Sequence, residues 1–171
     1  MQFKIVITML VIILASINYS IYSKEQHLKQ GATVYLTLAP VDPRSLIQGD
    51  YMALRFEVTN ALHEALPKAE GKHQWQDKIE THDGKILVSL DADNIASYQA
   101  IYEGQRLQEN ELTLNYRVRN NAIKFASNAF FFEEGTANLY TQARYGEFKV
   151  NAQGGLLLNA MFDEELHLIT P

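Results

Sequence analysis

The chain of 171 residues has no cysteine, no excess of basic residues and none of the short motifs that identify common catalytic sites. The absence of cysteine excludes disulfides and metal sites built on thiolates. Fifteen Lys and Arg stand against twenty Asp and Glu, a net charge of −5. An acidic domain lacks the electrostatic footprint of a nucleic-acid-binding protein, so we predict no nucleic-acid partner.

Several candidate catalytic groups lack the sequence context that their chemistry needs. His63, His73 and His82 are irregularly spaced and form no His-Glu-x-x-His pattern, so we interpret them as solvated loop residues. Ser45 lacks the context of a nucleophile elbow, and the glycine pair at 154–155 lacks the lysine of a phosphate-binding loop. We therefore predict no catalytic residue, no metal and no cofactor.

Residues 5–22 form an apolar run, mostly Ile, Leu, Val and Met. As a helix, the run reaches about 27 Å, close to the hydrocarbon thickness of a bilayer. Lys4 precedes the run, and Tyr19 and Tyr22 lie where an interfacial aromatic belt is expected. A cleavable signal peptide and a buried core helix are the alternatives. We favour a retained anchor because no cleavage site with Ala at both small positions follows, and because core helices are amphipathic.

The sequence predicts an anchor, a stem and one domain. The anchor covers residues 1–23, and the stem covers residues 24–32 and extends the helix to a stop at Gly31. Residues 33–171 are long enough for one compact domain, which we place in the periplasm or outside the cell, tethered to the inner membrane. We expect a mostly β or α+β fold, largely antiparallel and β-rich, with one or two short helices.

Alternating apolar residues and turn residues predict a series of short strands. The clearest covers residues 111–119, whose even-numbered positions are apolar, and the pair Asn120-Asn121 then forms a hairpin turn. Other strands are predicted over residues 33–38, 51–58, 85–91, 95–104, 122–126, 130–132, 147–151 and 156–162. Short helices are predicted around residues 61–66 and over residues 137–144, the second capped by Thr136 and ended by Gly146.

A turn rich in proline, glycine and charge joins the first two strands, over residues 39–50. Its two prolines exclude a helix, and Gly49 can adopt the positive φ of a tight return. Asp42, Arg44 and Asp50 fall in this one turn, where an Arg between carboxylates can hold a polar ligand. The simpler interpretation is a structural ion pair with turn caps, which pins the two strands.

Gly49-Asp50-Tyr51, followed by Leu54 and Phe56, resembles the signature of the GDYXXLXY protein family. We call residues 49–56 the signature; its last position is Phe56 where the family has Tyr, so any chemistry that needs that hydroxyl is excluded here. Residues 40–44, 132–135 and 143–148 are similar to the family's other blocks. The resemblance implies a membrane-associated bacterial protein without an assigned activity, associated with multi-span membrane proteins.

Acidic residues in the later blocks complete the candidate site. Glu133 and Glu134 precede the second predicted helix and Glu147 follows it, and paired acids of this kind can do acid–base work opposite Asp50. Acids at a helix start are also favoured by the helix dipole alone. We expect both blocks to converge on the turn. The candidate binding residues are Asp42, Arg44, Gly49, Asp50, Tyr51, Arg55, Glu133, Glu134, Arg144, Tyr145 and Glu147.

Two classes of function fit these observations. The leading hypothesis is a membrane-anchored, non-enzymatic domain that binds another membrane protein, with the membrane itself contacted through residues 5–22. The rival is an envelope hydrolase or small-ligand-binding domain that uses Asp42 and Asp50 with Glu133 and Glu134. A concave pocket holding these carboxylates would favour the rival, whereas an exposed apolar patch would favour a protein partner.

Overall fold

The computed structural model describes residues 2–39, 47–48, 51–69 and 78–171. Its helices are α1 (Gln2–Gln30), α2 (Glu57–Ala65) and a 3-10 helix (Ala137–Gln142). Its strands are β1 (Ala32–Thr37), β2 (Ile47–Gln48), β3 (Tyr51–Ala53), β4 (Lys68–Ala69), β5 (Lys78–Ile79), β6 (Asp83–Leu90), β7 (Ala96–Ile101), β8 (Glu111–Arg119), β9 (Ala122–Lys124), β10 (Ala129–Phe131), β11 (Tyr145–Val150) and β12 (Leu156–Phe162). An apolar N-terminal helix followed by an antiparallel β-rich domain with few short helices confirms the predicted class.

Helix α1 runs through the predicted anchor and stem without a break. Its 18-residue apolar window has a mean hydropathy of 2.1 and makes no buried contact with the domain, so it is long and apolar enough to cross a membrane. The helix ends at Gly31, whose N–H donates to the His27 carbonyl at 2.9 Å. A Cβ at Gly31 would lie 2.7 Å from that carbonyl oxygen, so the close approach requires glycine.

Two antiparallel sheets make up most of the domain. The first, in the order β1-β11-β12, receives the end of α1, and we call it the docked sheet. The second has the order β7-β6-β8-β9. A small sheet in the order β10-β3-β2 carries the start of the signature, and we call it the signature sheet. Strands β4 and β5 pair separately.

Backbone hydrogen bonds connect the two large sheets at two places. The Tyr35 N–H donates to the Asn94 carbonyl at 2.9 Å, and the Asn115 N–H donates to the Gly154 carbonyl at 2.8 Å. Gly154 has a φ of +83°, and a Cβ there would lie 2.8 Å from the Thr113 carbonyl oxygen. The β11–β12 turn can therefore approach β8 only with glycine, and the sheets curl around one core.

Phe56, the last residue of the signature, lies at the centre of this core. It is fully buried, and its ring meets Phe148 at 5.4 Å and Phe125 at 6.3 Å between centroids, edge to face in both cases. Buried aromatic pairs of this geometry contribute about 1 kcal/mol beyond their burial. The ring that replaces the family's Tyr therefore has a packing role.

The predicted strand over residues 51–58 is wrong beyond Ala53. Phe56 still bridges antiparallel to Leu38, but α2 begins at Glu57. Val58 fits two patterns. It continues the alternation of a strand, and it is also the first of three apolar residues spaced four positions apart, as on one face of a helix. These three residues, Val58, Leu62 and Leu66, are all buried. Packing of that helical face against β7 and β1 decides in favour of helix.

The predicted helix over residues 137–144 is a 3-10 helix, and its predicted ends are wrong. The Thr136 hydroxyl donates to the Glu133 carbonyl at 2.7 Å and caps nothing. Gly146 lies inside β11. A Cβ at this position would lie 3.3 Å from the Phe148 ring and 3.6 Å from the Phe56 ring. Gly146 makes room for a core aromatic ring and does not terminate a helix.

The turn that joins the first strands lies mostly outside the described residues, namely at positions 40–46 and 49–50. Its two arms are described and are neighbours. The Ala39 N–H donates to the Arg55 carbonyl at 2.8 Å, next to the bridge between Leu38 and Phe56. Leu54 follows the end of β3, and its N–H donates to the Asn128 carbonyl at 2.8 Å. The chain segments on either side of the turn therefore lie next to each other.

Candidate functional site

The predicted site residues fall into two groups. Asp42, Arg44, Gly49 and Asp50 lie outside the described residues. The described ones are Tyr51 and Arg55 near β3, Glu133 and Glu134 before the 3-10 helix, and Arg144, Tyr145 and Glu147 at or in β11. Glu133, Glu134 and Arg55 are exposed, whereas Glu147 is buried.

The described part of the signature presents an aromatic surface. Strands β3 and β10 pair so that Tyr51 lies opposite Phe131, and their ring centroids are 5.8 Å apart. Phe131 is 74% exposed, whereas Met52, the next residue in β3, is 2% exposed. Alternation along a strand explains the contrast, because neighbouring side chains point to opposite faces. We call Tyr51 and Phe131 the aromatic pair.

The residues that flank Phe131 are held in place by Tyr140 of the 3-10 helix. The Tyr140 ring packs edge to face on Phe130 at 5.1 Å and stacks on Phe132 at 5.2 Å. Tyr140 itself is only 5% exposed. The aromatic pair is therefore displayed from a packed base, with Phe131 turned outward between two anchored neighbours.

Arg144 connects the later family-like block to the signature end of the domain. Its carbonyl accepts from the Leu38 N–H at 2.9 Å, and its guanidinium lies 3.9 Å from the Glu57 carboxylate at the start of α2. Both side chains are about half exposed, so this ion pair contributes little to stability. Arg144 is thus adjacent to Leu38 and to the start of α2. The expected convergence of the later acidic residues on Asp42 and Asp50 falls outside the described residues and stays a prediction.

A polar cluster occupies the outer face of the docked sheet. Glu147 and Lys149 are two apart on β11, and the ammonium lies 2.7 Å from Glu147 Oε1. The Asn159 amide donates to Glu147 Oε2 at 2.9 Å, and Lys149 donates to the Thr33 hydroxyl at 2.7 Å. The Glu147 and Lys149 side chains are 9% and 19% exposed. Both oxygens of the Glu147 carboxylate thus have a partner, which compensates the cost of removing this charge from water.

Tyr35 lies beside this cluster, opposite Glu147 in the register of β1 and β11. Burial raises the pKa of the Tyr35 phenol, the Glu147 carboxylate raises it further, and the Lys149 ammonium lowers it in part. Its ring packs edge to face on Phe162 at 5.2 Å. The phenol is therefore neutral well beyond neutral pH, and its ring contributes packing at the edge of the polar cluster.

Sequence reasoning selected Glu147 but missed the residues around it. The spacing of two between Glu147 and Lys149 places them on one face of a strand, which is a usable signal. Thr33 is 116 residues away from Lys149 in the chain, and only the register of β1 against β11 brings them together. No local pattern contains that register, so the cluster was not predictable as a unit.

His82 differs from the expected solvated loop histidine. It is half-buried, its Nε2 lies 3.0 Å from the Tyr116 hydroxyl, and its Nδ1 lies 2.9 Å from the Glu80 carbonyl. The Val118 N–H donates to the His82 carbonyl at 2.8 Å, which extends the pairing of β6 with β8 and fixes the ring. His63 lies half-buried in α2, and His73 lies outside the described residues.

A second titratable cluster, which the sequence analysis did not select, follows β12. Ligand atoms of Asp163, Glu165 and His167 lie within 4.8 Å of one another. Asp163 Oδ1 already accepts from the backbone N–H groups of Glu165 at 3.0 Å and His167 at 2.8 Å. These bonds close a tight turn, and this role accounts for the aspartate.

A polar groove of about 410 Å³ lies where α1 meets the docked sheet. One wall is the end of α1, including Lys24 and His27, and the other is the start of the β11–β12 turn at Asn151 and Ala152. His27 Nε2 donates to the Lys149 carbonyl at 2.9 Å, which ties the two walls together. We call this cavity the stem groove.

Comparison with curated proteins returns no match, and neither does comparison with solved structures. The family comparison matches residues 13–161, from the middle of α1 to the end of β12. The matched range includes the signature, the aromatic pair and the polar cluster, and it covers most of the chain. On that match, the chain belongs to the GDYXXLXY protein family.

Proposed function

We propose that the chain is a single-pass inner-membrane protein whose extracytoplasmic domain binds another membrane protein and has no enzymatic activity. The observation that carries the proposal is the aromatic pair, in which Tyr51 of the signature lies against Phe131, which is 74% exposed. Large exposed aromatic side chains on a packed base are typical of contact sites between proteins. Of the four carboxylates of the rival hydrolase hypothesis, Glu133 and Glu134 are exposed, and Asp42 and Asp50 lie outside the described residues.

The fit between α1 and the domain supports retention of the helix. Gly31 leaves no flexible linker between α1 and β1, and His27 bonds directly to β11. A signal peptide is cut away from a mature domain and has no need of such a junction. The same junction fixes the domain relative to the helix, which suits a module that must face a neighbour in the membrane.

Polar side chains inside the apolar run support a partner that also spans the membrane. Asn18 lies four residues before Tyr22, and its amide donates to the Leu14 carbonyl at 2.8 Å. The Ser16 hydroxyl donates to the Ile12 carbonyl at 2.8 Å. A side-chain amide in hydrocarbon is costly, and its remaining hydrogen-bonding capacity favours a second polar helix alongside.

Retention of the anchor is tested by the intact mass of the protein purified from membranes. A mass equal to that of the full chain is the expected result. A mature N-terminus near Tyr22 would refute the anchor and with it the single-pass topology.

The partner is tested by photo-crosslinking in native membranes. We expect p-benzoylphenylalanine at position 131 to give one discrete adduct, and the same group at Leu168, which is 53% exposed, to give none. The Leu168 variant is a matched control because it places the same photoreactive group elsewhere on the domain surface. Uncrosslinked chain alone at both positions, or an adduct with the mass of two copies, would contradict a heterologous partner.

A further inference from the structure

The stem groove lies directly beyond the apolar run of α1. The last residue of the run is Tyr22, and the groove extends along the stem from Ser23 to Gly31. At 1.5 Å per residue, the groove spans about 2 to 14 Å past the end of the run, and Ser23 and Lys24 lie within about 3 Å of it. The head-group layer of a bilayer extends roughly 5 to 7 Å beyond the hydrocarbon on each side. The end of the groove that holds Ser23 and Lys24 therefore lies at the depth of lipid head groups, a placement that rests on the proposed retention of the anchor.

The residues that line the groove suit a phosphate. Lys24 supplies an ammonium, Ser23 a hydroxyl and Gln26 an amide donor, and none of the lining residues is acidic. This is notable in a chain whose net charge is −5. An ammonium with neighbouring neutral donors binds a phosphodiester by one ionic contact and additional hydrogen bonds.

Neighbouring charges leave Lys24 available for this contact. Glu25, the nearest acid in the sequence, lies 3.5 Å from Lys29 one helical turn further on. On the other wall, the Lys149 ammonium is engaged by Glu147 and Thr33, and only its backbone carbonyl is directed to His27. Among the described groups at this junction, Lys24 is thus the cation that faces the groove.

The groove is also large, and its two walls are tied to each other. Its volume of about 410 Å³ is within the usual range of small-molecule sites, and the bond from His27 to Lys149 holds its two walls at a fixed distance. Asn151 fixes the β11–β12 turn, since its side-chain oxygen accepts from the N–H groups of Gln153 and Gly155. A site with fixed walls loses little entropy when a ligand enters.

We propose that the stem groove binds the phosphate head group of a membrane phospholipid, with Lys24 as the cationic contact. Binding there sets the depth and orientation of the domain on the bilayer surface. A soluble phosphate would offer the same chemistry, but a lipid is present at high effective concentration at this depth, so a weak site is sufficient.

The test is native mass spectrometry of the full-length protein in mild detergent, titrated with phosphatidylglycerol. We expect Lys24→Gln to weaken lipid binding about fivefold, the effect of one basic residue at a membrane surface. Lys29→Gln is the matched control, because Lys29 has the same charge on the same stem but does not line the groove. Equal losses in both variants would mean general surface attraction and would overturn the site.

A second pair of variants tests the cavity without changing charge. Ala152→Trp fills the groove from its exposed turn and is expected to reduce lipid binding at least as much as Lys24→Gln. Ala122→Trp, at an exposed position of β9, is expected to leave it unchanged. An Ala152→Trp variant that binds lipid normally would overturn the proposal, as would displacement of the lipid by millimolar inorganic phosphate.

These outcomes are separable from failure of the proposed function. The intact mass reports on the anchor alone, and the crosslink at position 131 reports on the protein partner alone. If the full chain is retained and the Lys24 and Ala152 variants bind lipid like the wild type, the groove proposal fails and the partner proposal stands.

Discussion

The docked sheet and the signature sheet differ in what they place on their outer faces. On the docked sheet, Glu147 and Lys149 are drawn together and largely removed from water, with Thr33 and Asn159 as further partners. On the signature sheet, Phe131 is 74% exposed. Polar groups that satisfy one another hold a structure together, whereas an exposed aromatic ring has surface left to bury. The contrast is consistent with a structural role for the docked sheet at the helix junction and with the contact role that we propose for the signature sheet.

The largest effect is expected from breaking the ion pair of the docked sheet. Glu147→Ala leaves the Lys149 ammonium without its carboxylate, and we expect the free energy of unfolding to fall by about 3 kcal/mol. Urea unfolding of the full chain in detergent, followed by near-ultraviolet circular dichroism, measures the loss. Asp83→Ala is the matched control, because the Asp83–Arg119 pair at 2.6 Å is 62% and 43% exposed and should contribute under about 1 kcal/mol. Equal losses would show that the cluster is not special.

A smaller loss is expected at the helix junction. Gly31→Ala places a methyl group 2.7 Å from the His27 carbonyl oxygen and 3.0 Å from the Lys149 Cβ, so the helix end must move away from β11. Overpacking of this kind costs about 1 to 3 kcal/mol, measured by the same urea titration. Gly135→Ala is the comparison, since a Cβ there meets nothing within 4 Å although the φ of +85° still strains it. A larger loss at Gly135 would mean that contact at the junction is unimportant.

Much of the fold was predictable because its signals are local. The alternation over residues 111–119 is observed as β8, and Asn120 and Asn121 adopt the positive φ values of 53° and 61° that a tight hairpin needs. The hairpin of β11 and β12 was predicted from the glycines between them. Each of these signals depends on residues a few positions apart, where periodicity and turn chemistry operate.

The errors and omissions share a physical origin in long-range contacts. The start of α2 at Glu57 is decided by burial of Val58 and Leu62 against strands elsewhere in the chain. Gly146 lies against the Phe148 ring, which itself packs on Phe56 from a distant part of the chain. The polar cluster depends on the register between β1 and β11. Such a register is a consequence of the whole fold. Patterns over a few neighbouring residues therefore identify Glu147 and miss the other residues of the polar cluster.

The docked sheet should also have a distinctive pH dependence. Burial and the Glu147 carboxylate raise the Tyr35 pKa above its ordinary 10.0, so the folded state holds the phenol proton more tightly than the unfolded state does. The contribution of this group to stability is therefore complete below pH 10 and is lost as the pH rises through the folded-state pKa. We expect Tyr35→Phe to make the alkaline decline in unfolding free energy shallower. An unchanged slope between wild type and variant would contradict the assignment to Tyr35.

The smallest effect on stability is expected on the signature sheet, where the same substitution should have a large effect on partner binding. Phe131→Ser removes a ring that is 74% exposed, so the free energy of unfolding should change by less than about 0.5 kcal/mol in the urea titration. If the ring is a contact residue, the same variant should greatly weaken the membrane-protein complex, measured by crosslinking from a benzophenone group placed at the neighbouring Tyr51. Met52→Ser provides the opposite control, because Met52 is 2% exposed and its loss should destabilise the domain. A Phe131 variant that unfolds as easily as the Met52 variant would show that the ring is part of the core. A Phe131 variant that keeps full crosslinking would show that the aromatic pair does not contact the partner.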